Sequence, residues 1–230
     1  ERSSKWFRKF GKWSLLFAWV PIIGDPLTLV AGLLRVRFLD FIILVAIGKV
    51  SRYLVVFYLI GWAMNIIVLQ HIKIEDPGYI KDLMLADGFN LTTIELDEGE
   101  KIPSDLNKFD GMFCMGGPMD TFMEQEYPWL IDEKKKIKEF VINLKKPYLG
   151  FCLGCQLLGE VVGGKVAKSN PAEIGIMDIN FTEEKKEDKL FSKFPDQIKS
   201  LQWHSYEVQG IENNKDVTLL ASSPVTKYQI

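Results

Sequence analysis

One of the chain's three cysteines occupies the position where α/β proteins carry out chemistry. Cys152 follows the short apolar run 147–151 and precedes the helix-compatible stretch 153–162. It therefore lies at the carboxyl edge of the predicted sheet, where such folds bind their ligands. Gly150 and Gly154 flank it in a G-x-C-x-G pattern, which is typical of the sharp strand-to-helix turn that exposes a nucleophile. The sequence predicts a nucleophilic thiol.

Two backbone features are expected to support this thiol. A helix that begins at Leu153 would direct its free N–H groups and its positive end toward the sulfur, which should lower the thiol pKa. A glycine-rich turn, residues 116–119 (G-G-P-M), follows the predicted strand 109–115. Main-chain N–H groups in this turn, together with that of Leu153, can form an oxyanion hole. The pattern indicates attack of a thiolate on an acyl carbon.

Six short motifs within residues 64–230 together resemble the class I (triad-type) glutamine amidotransferases, especially their GMP-synthase-like branch. The motifs are M-G-G-P-M (115–119), Y-P-W-L (127–130), G-F-C-L-G-C-Q-L-L (150–158), G-G-K-V (163–166), E-I-G (173–175) and Q-W-H-S (202–205). The resemblance implies a flavodoxin-like, mostly parallel sheet with a nucleophile elbow. It also implies hydrolysis of the glutamine side-chain amide through a glutamyl thioester, with ammonia passed to an acceptor or to a partner synthase.

The resemblance assigns roles to individual residues. It implies Cys152 as the nucleophile and the backbone N–H groups of Gly117 and Leu153 as oxyanion donors. It places Gln156 and the loop at Gly116 beside the bound glutamine. No cofactor is implied.

The family pattern also contains a His-x-Glu pair close to the C-terminus, and the sequence departs from the pattern there. The two histidines are His71 and His204, and no such pair occurs up to Ile230. The resemblance places His204 on a strand near the site, as a residue distinct from the catalytic histidine. Without that base, the leaving ammonia has no proton donor. We therefore expect this polypeptide to be catalytically impaired and its complete parent to be active.

The remaining polar candidates are assigned less direct roles. Glu173 is expected to be a pocket or structural carboxylate, and both Glu173 and His204 are predicted substrate-binding residues. His71 is expected to be a loop residue beside the cleft. Cys114, inside a predicted strand, is expected to be a small buried side chain. Two cysteines and two distant histidines lack the ligand spacing of a zinc site, so no metal is expected.

Three alternative functions stay open. Residues 152–155 form C-x-x-C at a helix start, as in thioredoxin-like redox proteins, but this leaves Gly150, Gly154 and Gln156 without a role. A γ-glutamyl peptide hydrolase of the same fold would attack the same γ-carbonyl. A membrane-tethered protein could instead bind glutamine or a partner synthase without catalysis.

The elements that must position these residues alternate from Met64 onward. Strand-length apolar runs at 65–70, 91–95, 109–115 and 147–151 alternate with helix-compatible stretches, which predicts a mostly parallel sheet. Shorter strands are predicted at 175–181, 198–203 and 217–220, and a solvated loop at 183–189. Residues 64–230 hold 19 Lys or Arg against 27 Asp or Glu, so no nucleic-acid binding is expected.

Residues 1–63 predict a different kind of structure. They hold nine Lys or Arg against three Asp or Glu. Apolar runs at 14–34 and 38–63, with tryptophans near their ends, suit a lipid bilayer. A G-D-P break at 24–26 favours a re-entrant or kinked hairpin. Ionisable groups are costly at membrane depth, so Asp25, Lys49 and Arg52 are functional candidates.

The G-D-P-L-T run at 24–28, with Arg35 and the G-K pair at 48–49, resembles small bacterial inner-membrane proteins of the DedA or SNARE-associated type. It implies a bacterial inner-membrane location, with the α/β domain in the cytoplasm. No polar linker separates 1–63 from 64–230. We therefore hypothesise an end-to-start fusion, or an assembly artefact, of two reading frames; in the second case the protein would be cytoplasmic.

Overall fold

The computed structural model describes residues 38–60 and 63–230. Contacts between Cα atoms divide the chain into two compact units, Glu1–Ala63 and Met64–Ile230. The predicted hairpin over residues 14–34, with Asp25, lies outside the described residues.

In the first unit, helix α1 spans Phe38–Ile60, and Lys49 is exposed on it. Within the described ranges, no helix combines the length and the apolar character that a bilayer crossing requires. The predicted membrane helices are therefore not supported. The sequence of α1 offers a physical reason, because it contains Asp40, Lys49 and Arg52, and charged groups are costly in hydrocarbon.

In the second unit, strands and helices alternate first and antiparallel strands follow. Its elements are β1 (Asn65–Gln70), α2 (Gly78–Ala86), β2 (Asn90–Glu95), β3 (Gly111–Cys114), α3 (Trp129–Lys138), a π-helix (Glu139–Asn143), β4 (Tyr148–Gly150), α4 (Leu153–Val161), β5 (Lys165–Phe181), a 3₁₀-helix (Glu183–Glu187), β6 (Gln197–Gln209) and β7 (Ala221–Ser222).

Four parallel strands form the first sheet, in the order β2-β1-β3-β4. The central strand β1 is apolar, and its residues 66–69 are buried, as expected for a strand covered on both faces. Leu130 and Ile137 of α3 and Leu157 of α4 pack into the same core. Burial of each such side chain contributes about 1.5–3 kcal/mol. The predicted α/β fold with a parallel sheet is confirmed.

A second, antiparallel sheet has the order β6-β5-β7. Strands β5 and β6 are longer than the predicted segments 175–181 and 198–203, because the two strands pair along most of their length. The predicted strand 217–220 is wrong. Its carbonyl groups are bound by Thr182, whose Oγ1 donates to Leu219 O at 2.7 Å and whose N–H donates to Leu220 O at 2.8 Å. The predicted loop 183–189 contains the 3₁₀-helix.

Candidate active site

Cys152 forms the turn between β4 and α4. Its backbone has φ 48° and ψ −103°, a left-handed conformation that costs a residue with a side chain about 1–3 kcal/mol. Hydrogen bonds to the end of β3 hold the turn: Phe151 N–H donates to Cys114 O at 2.9 Å, and Gly154 N–H to Met115 O at 3.2 Å. The residue itself is exposed. A strained, anchored turn therefore presents the thiol at the carboxyl edge of the sheet.

The two glycines that flank Cys152 are required by close backbone approach. A Cβ atom at Gly150 would lie 2.6 Å from both Cys155 N and Gly154 C. A Cβ atom at Gly154 would overlap the carbonyl oxygen of Cys114. Backbone atoms cannot move aside as a flexible side chain can, so the G-x-C-x-G spacing follows from the packing of the turn against β3.

A second glycine turn lies beside the cysteine turn. A Cβ atom placed on Gly116 would lie 3.6 Å from Cys152 Cβ, and one placed on Gly117 would lie 3.3 Å from Leu153 Cδ2. In the described part of the chain, no backbone acceptor pairs with the N–H of Gly117. The structure thus brings together the residues predicted as nucleophile and as oxyanion donors.

The expectation of a lowered thiol pKa is wrong. Desolvation and the negative charge of Glu75 raise the pKa of Cys152 above its ordinary value, and the N–H of Leu153 offsets only part of this effect. The residue as a whole is exposed, whereas its sulfur is partly desolvated. At neutral pH the isolated site therefore holds Cys152 mainly as the thiol.

His71 lies beneath the second turn rather than beside an open cleft. Its ring is fully buried; Nδ1 is 2.9 Å from Gly116 O and Nε2 is 2.9 Å from Glu133 Oε1. Burial opposes protonation of the ring, but the hydrogen bond to Glu133 and its charge outweigh burial and raise the His71 pKa. When protonated, the ring donates both N–H groups, one to Gly116 O and one to Glu133 Oε1. His71 lies in the loop after β1 as predicted, but it is buried and paired with Glu133 and does not face an open cleft.

Cys114 joins this pair. It is buried as predicted, but its sulfur also lies 3.2 Å from Glu133 Oε1, which was not predicted. The donor atoms of His71, Cys114 and Glu133 all lie within 4.8 Å of one another, a set that could hold a metal. Burial and the Glu133 charge raise the Cys114 pKa well above its usual value, so the group stays a thiol. As the structure stands, the His71 ring and the Cys114 thiol share Glu133 Oε1 as acceptor in a hydrogen-bonded cluster.

A second buried carboxylate organises the antiparallel sheet. Glu173 is fully buried; its Oε2 accepts from Gln229 Nε2 at 2.6 Å and lies 3.1 Å from His204 Nε2, while Oε1 accepts from Ser223. His204 Nδ1 lies 3.0 Å from Tyr206 O. The structure thus joins Glu173 and His204 in one hydrogen-bonded cluster. All four ring nitrogens of the two histidines have partners, so neither ring is free to serve Cys152.

Residues 79–228 match the family described as glutamine amidotransferase class-I. The chain belongs to this family. A chain of the glutamine-hydrolyzing GMP synthase of Sulfolobus acidocaldarius is 31% identical over 160 residues, which cover 70% of this chain and 74% of that protein. A putative glutamine amidotransferase-like protein of Salmonella typhimurium is 25% identical, with 73% and 70% covered.

A solved structure shares the fold. The crystal structure of a glutamine amidotransferase from Thermotoga maritima has 28% sequence identity to this chain and a TM-score of 0.64, with 72% of this chain and 68% of that one covered. The family match confirms the class I resemblance of the α/β unit. It does not reach residues 1–63, so it gives no support to the resemblance proposed there.

Two further polar residues of this amidotransferase-family chain lie near the elbow. Gln156, predicted to lie beside glutamine, donates from Nε2 to Tyr206 O at 3.2 Å and so ties α4 to β6. Glu75, which was not predicted from the sequence, is half-buried in the loop after β1. A Cβ atom at Gly116 would overlap its Oε2. The one sequence signal for Glu75 was its position just beyond a buried parallel strand.

Proposed function

We propose that the α/β unit is the glutaminase part of a glutamine amidotransferase, with Cys152 as the nucleophile. The proposal rests above all on the left-handed turn at Cys152, which lies beside Gly116, while Gly117 lies beside Leu153, the residue after Cys152. A γ-amide bound there would have its carbonyl oxygen near two main-chain N–H groups, which stabilise the negative charge of a tetrahedral intermediate.

The reaction proceeds in two steps. The Cys152 sulfur bonds to the carbonyl carbon of the γ-carboxamide, the carbon–nitrogen bond breaks, and the nitrogen takes the thiol proton and leaves as ammonia. Water then breaks the thioester, which gives glutamate and restores the thiol. His71 and His204 are both bound to other partners, so we expect neither of them to speed the proton transfers. We expect slow turnover in this polypeptide and accumulation of the γ-glutamyl thioester.

The ammonia would pass to an acceptor on a partner synthase. This part of the proposal is supported by the Sulfolobus acidocaldarius relative, which is named as one subunit of a glutamine-hydrolyzing GMP synthase. The acceptor and the location of the protein in the cell stay predictions.

Intact-mass spectrometry after incubation with glutamine tests the nucleophile. We expect a γ-glutamyl adduct on the wild type and on Cys155→Ser, and none on Cys152→Ser. Cys155 lies one helical turn away and is a matched control. Loss of the adduct in Cys155→Ser would favour two-cysteine redox chemistry, which needs both sulfurs. An adduct that persists in Cys152→Ser, or no adduct and no glutamate with the wild type, would reject the proposal. A γ-glutamyl peptide assayed in parallel shows whether the leaving group must be ammonia.

A further inference from the structure

Glu75 places a carboxylate next to the nucleophile. A Cβ atom on Gly116 would overlap Glu75 Oε2 and lie 3.6 Å from Cys152 Cβ, so the carboxylate and the cysteine approach the same glycine. Within residues 38–60 and 63–230, no side chain pairs with this carboxylate. The adjacent Asp76, by contrast, lies 3.6 Å from Lys81 Nζ. A half-buried carboxylate at the carboxyl edge of the sheet, with no side chain paired to it, would be stabilised by a bound cation.

By itself this carboxylate hinders catalysis. Its charge raises the pKa of Cys152 and so disfavours the thiolate that must attack. Of the other titratable neighbours, Cys155 is a thiol, and His71 feels the Glu75 charge, which helps to raise its pKa, but makes its hydrogen bonds to Gly116 O and Glu133 and not to Glu75. A cation that pairs with Glu75 would remove the repulsion. A γ-glutamyl substrate carries such a cation, its α-ammonium group.

We propose that Glu75 binds the α-ammonium group of the substrate and so selects γ-glutamyl compounds whose α-amino group is free. This inference rests on the proposed function, because it assigns a residue to the same substrate. Substrate binding would then also ease formation of the thiolate, since the ammonium group offsets the Glu75 charge, which adds to desolvation in raising the Cys152 pKa. In the free site, the thiol is kept in its less reactive form.

The test measures alkylation of Cys152 by iodoacetamide in a Cys155→Ser background and needs no turnover. The comparison ligand is 4-carbamoylbutanoate, which is glutamine without its amino group. Glutamine should protect Cys152 at a concentration at least about tenfold lower than 4-carbamoylbutanoate does. A tenfold difference in affinity is about the contribution of one hydrogen bond to a charged group. Glu75→Gln should reduce the discrimination ratio, which is the protective concentration of 4-carbamoylbutanoate divided by that of glutamine, toward one. Asp76→Asn removes a charge one residue away and should leave the ratio unchanged.

A second readout uses the same variants without ligand. The midpoint of the pH dependence of alkylation should fall in Glu75→Gln and stay in place in Asp76→Asn. A discrimination ratio that is equal in Glu75→Gln and the wild type would overturn the assignment of Glu75 alone. Slower alkylation in Glu75→Gln would also overturn it, because it would make Glu75 a proton acceptor. If glutamine gives the wild type no protection, the proposed function fails together with this inference.

Discussion

Glu133→Ala removes the acceptor on which two buried donors converge. His71 Nε2 and Cys114 Sγ lie 2.9 and 3.2 Å from Glu133 Oε1, and all three side chains are buried. Removing one partner of a buried ion pair costs about 3–5 kcal/mol, because the other charge stays buried without a partner. The total stability of a domain is only about 5–15 kcal/mol. We therefore expect a folded but strongly destabilised variant.

Two companion variants separate charge from packing. Glu133→Gln keeps the shape and one acceptor oxygen, so its free energy of unfolding should fall by only about 1–3 kcal/mol. The double variant His71→Leu/Glu133→Leu removes both charges and should cost less than the two single leucine substitutions added together. Urea unfolding followed by tryptophan fluorescence measures these differences, and Trp129, stacked at 5.4 Å on His71, reports from the site.

The same pair predicts a pH dependence with a definite sign. The His71 pKa is raised in the folded state, so the pair contributes its full stability below the ordinary value of 6.5 and loses it as pH rises through the raised value. The difference between the wild type and Glu133→Ala should therefore be largest at about pH 6 and smaller at about pH 9. An equal difference at both pH values, or a loss below about 1 kcal/mol, would refute the assignment of a buried ion pair.

Two other perturbations test the packing of the site. Gly154→Ala should lower the free energy of unfolding in urea by about 1–3 kcal/mol, because its Cβ atom would overlap a backbone oxygen and overpack the turn. Lys138→Ala, at an exposed helix position, should change the free energy of unfolding by less than about 0.5 kcal/mol. Equal stability of the two variants would contradict the close approach of α4 to β3. Glu173→Ala leaves Gln229 Nε2 and Ser223 Oγ without this acceptor and should speed hydrogen exchange of residues 221–230. Unchanged exchange in this segment would show that Glu173 does not hold it.

The elbow could be predicted because its signals are local. Apolar strand, glycine, cysteine, glycine and helix follow one another within residues 147–162, and each glycine is explained by backbone atoms that lie too close for a Cβ atom. The strand order of the parallel sheet brings the Gly116 turn next to Cys152 for a similar reason, since β3 and β4 are paired neighbours. Both features follow from chain connectivity and sterics.

The electrostatics could not be predicted in the same way. A single histidine after β1 gives no sign that it pairs with Glu133, 62 positions later in the sequence. The helix that starts at Leu153 suggested a lowered thiol pKa, but desolvation and Glu75 act through space and reverse the sign. The strand assigned to 217–220 failed because an apolar run shows burial but not its hydrogen-bond partners. In each case the missing information is a tertiary contact.

The buried ion pair and the oxyanion donor belong to one physical unit. The carbonyl of Gly116, which accepts from His71 Nδ1, and the N–H of Gly117 are parts of the same peptide group. That peptide is trans, because the one cis peptide in the described residues joins Asn170 and Pro171. In a planar trans peptide the C=O and N–H bonds point in opposite directions. A protonated His71 that holds the carbonyl below therefore directs the Gly117 N–H away from itself, and the positive charge polarises that N–H as a donor. Glu133 favours this arrangement because its hydrogen bond and its charge raise the His71 pKa.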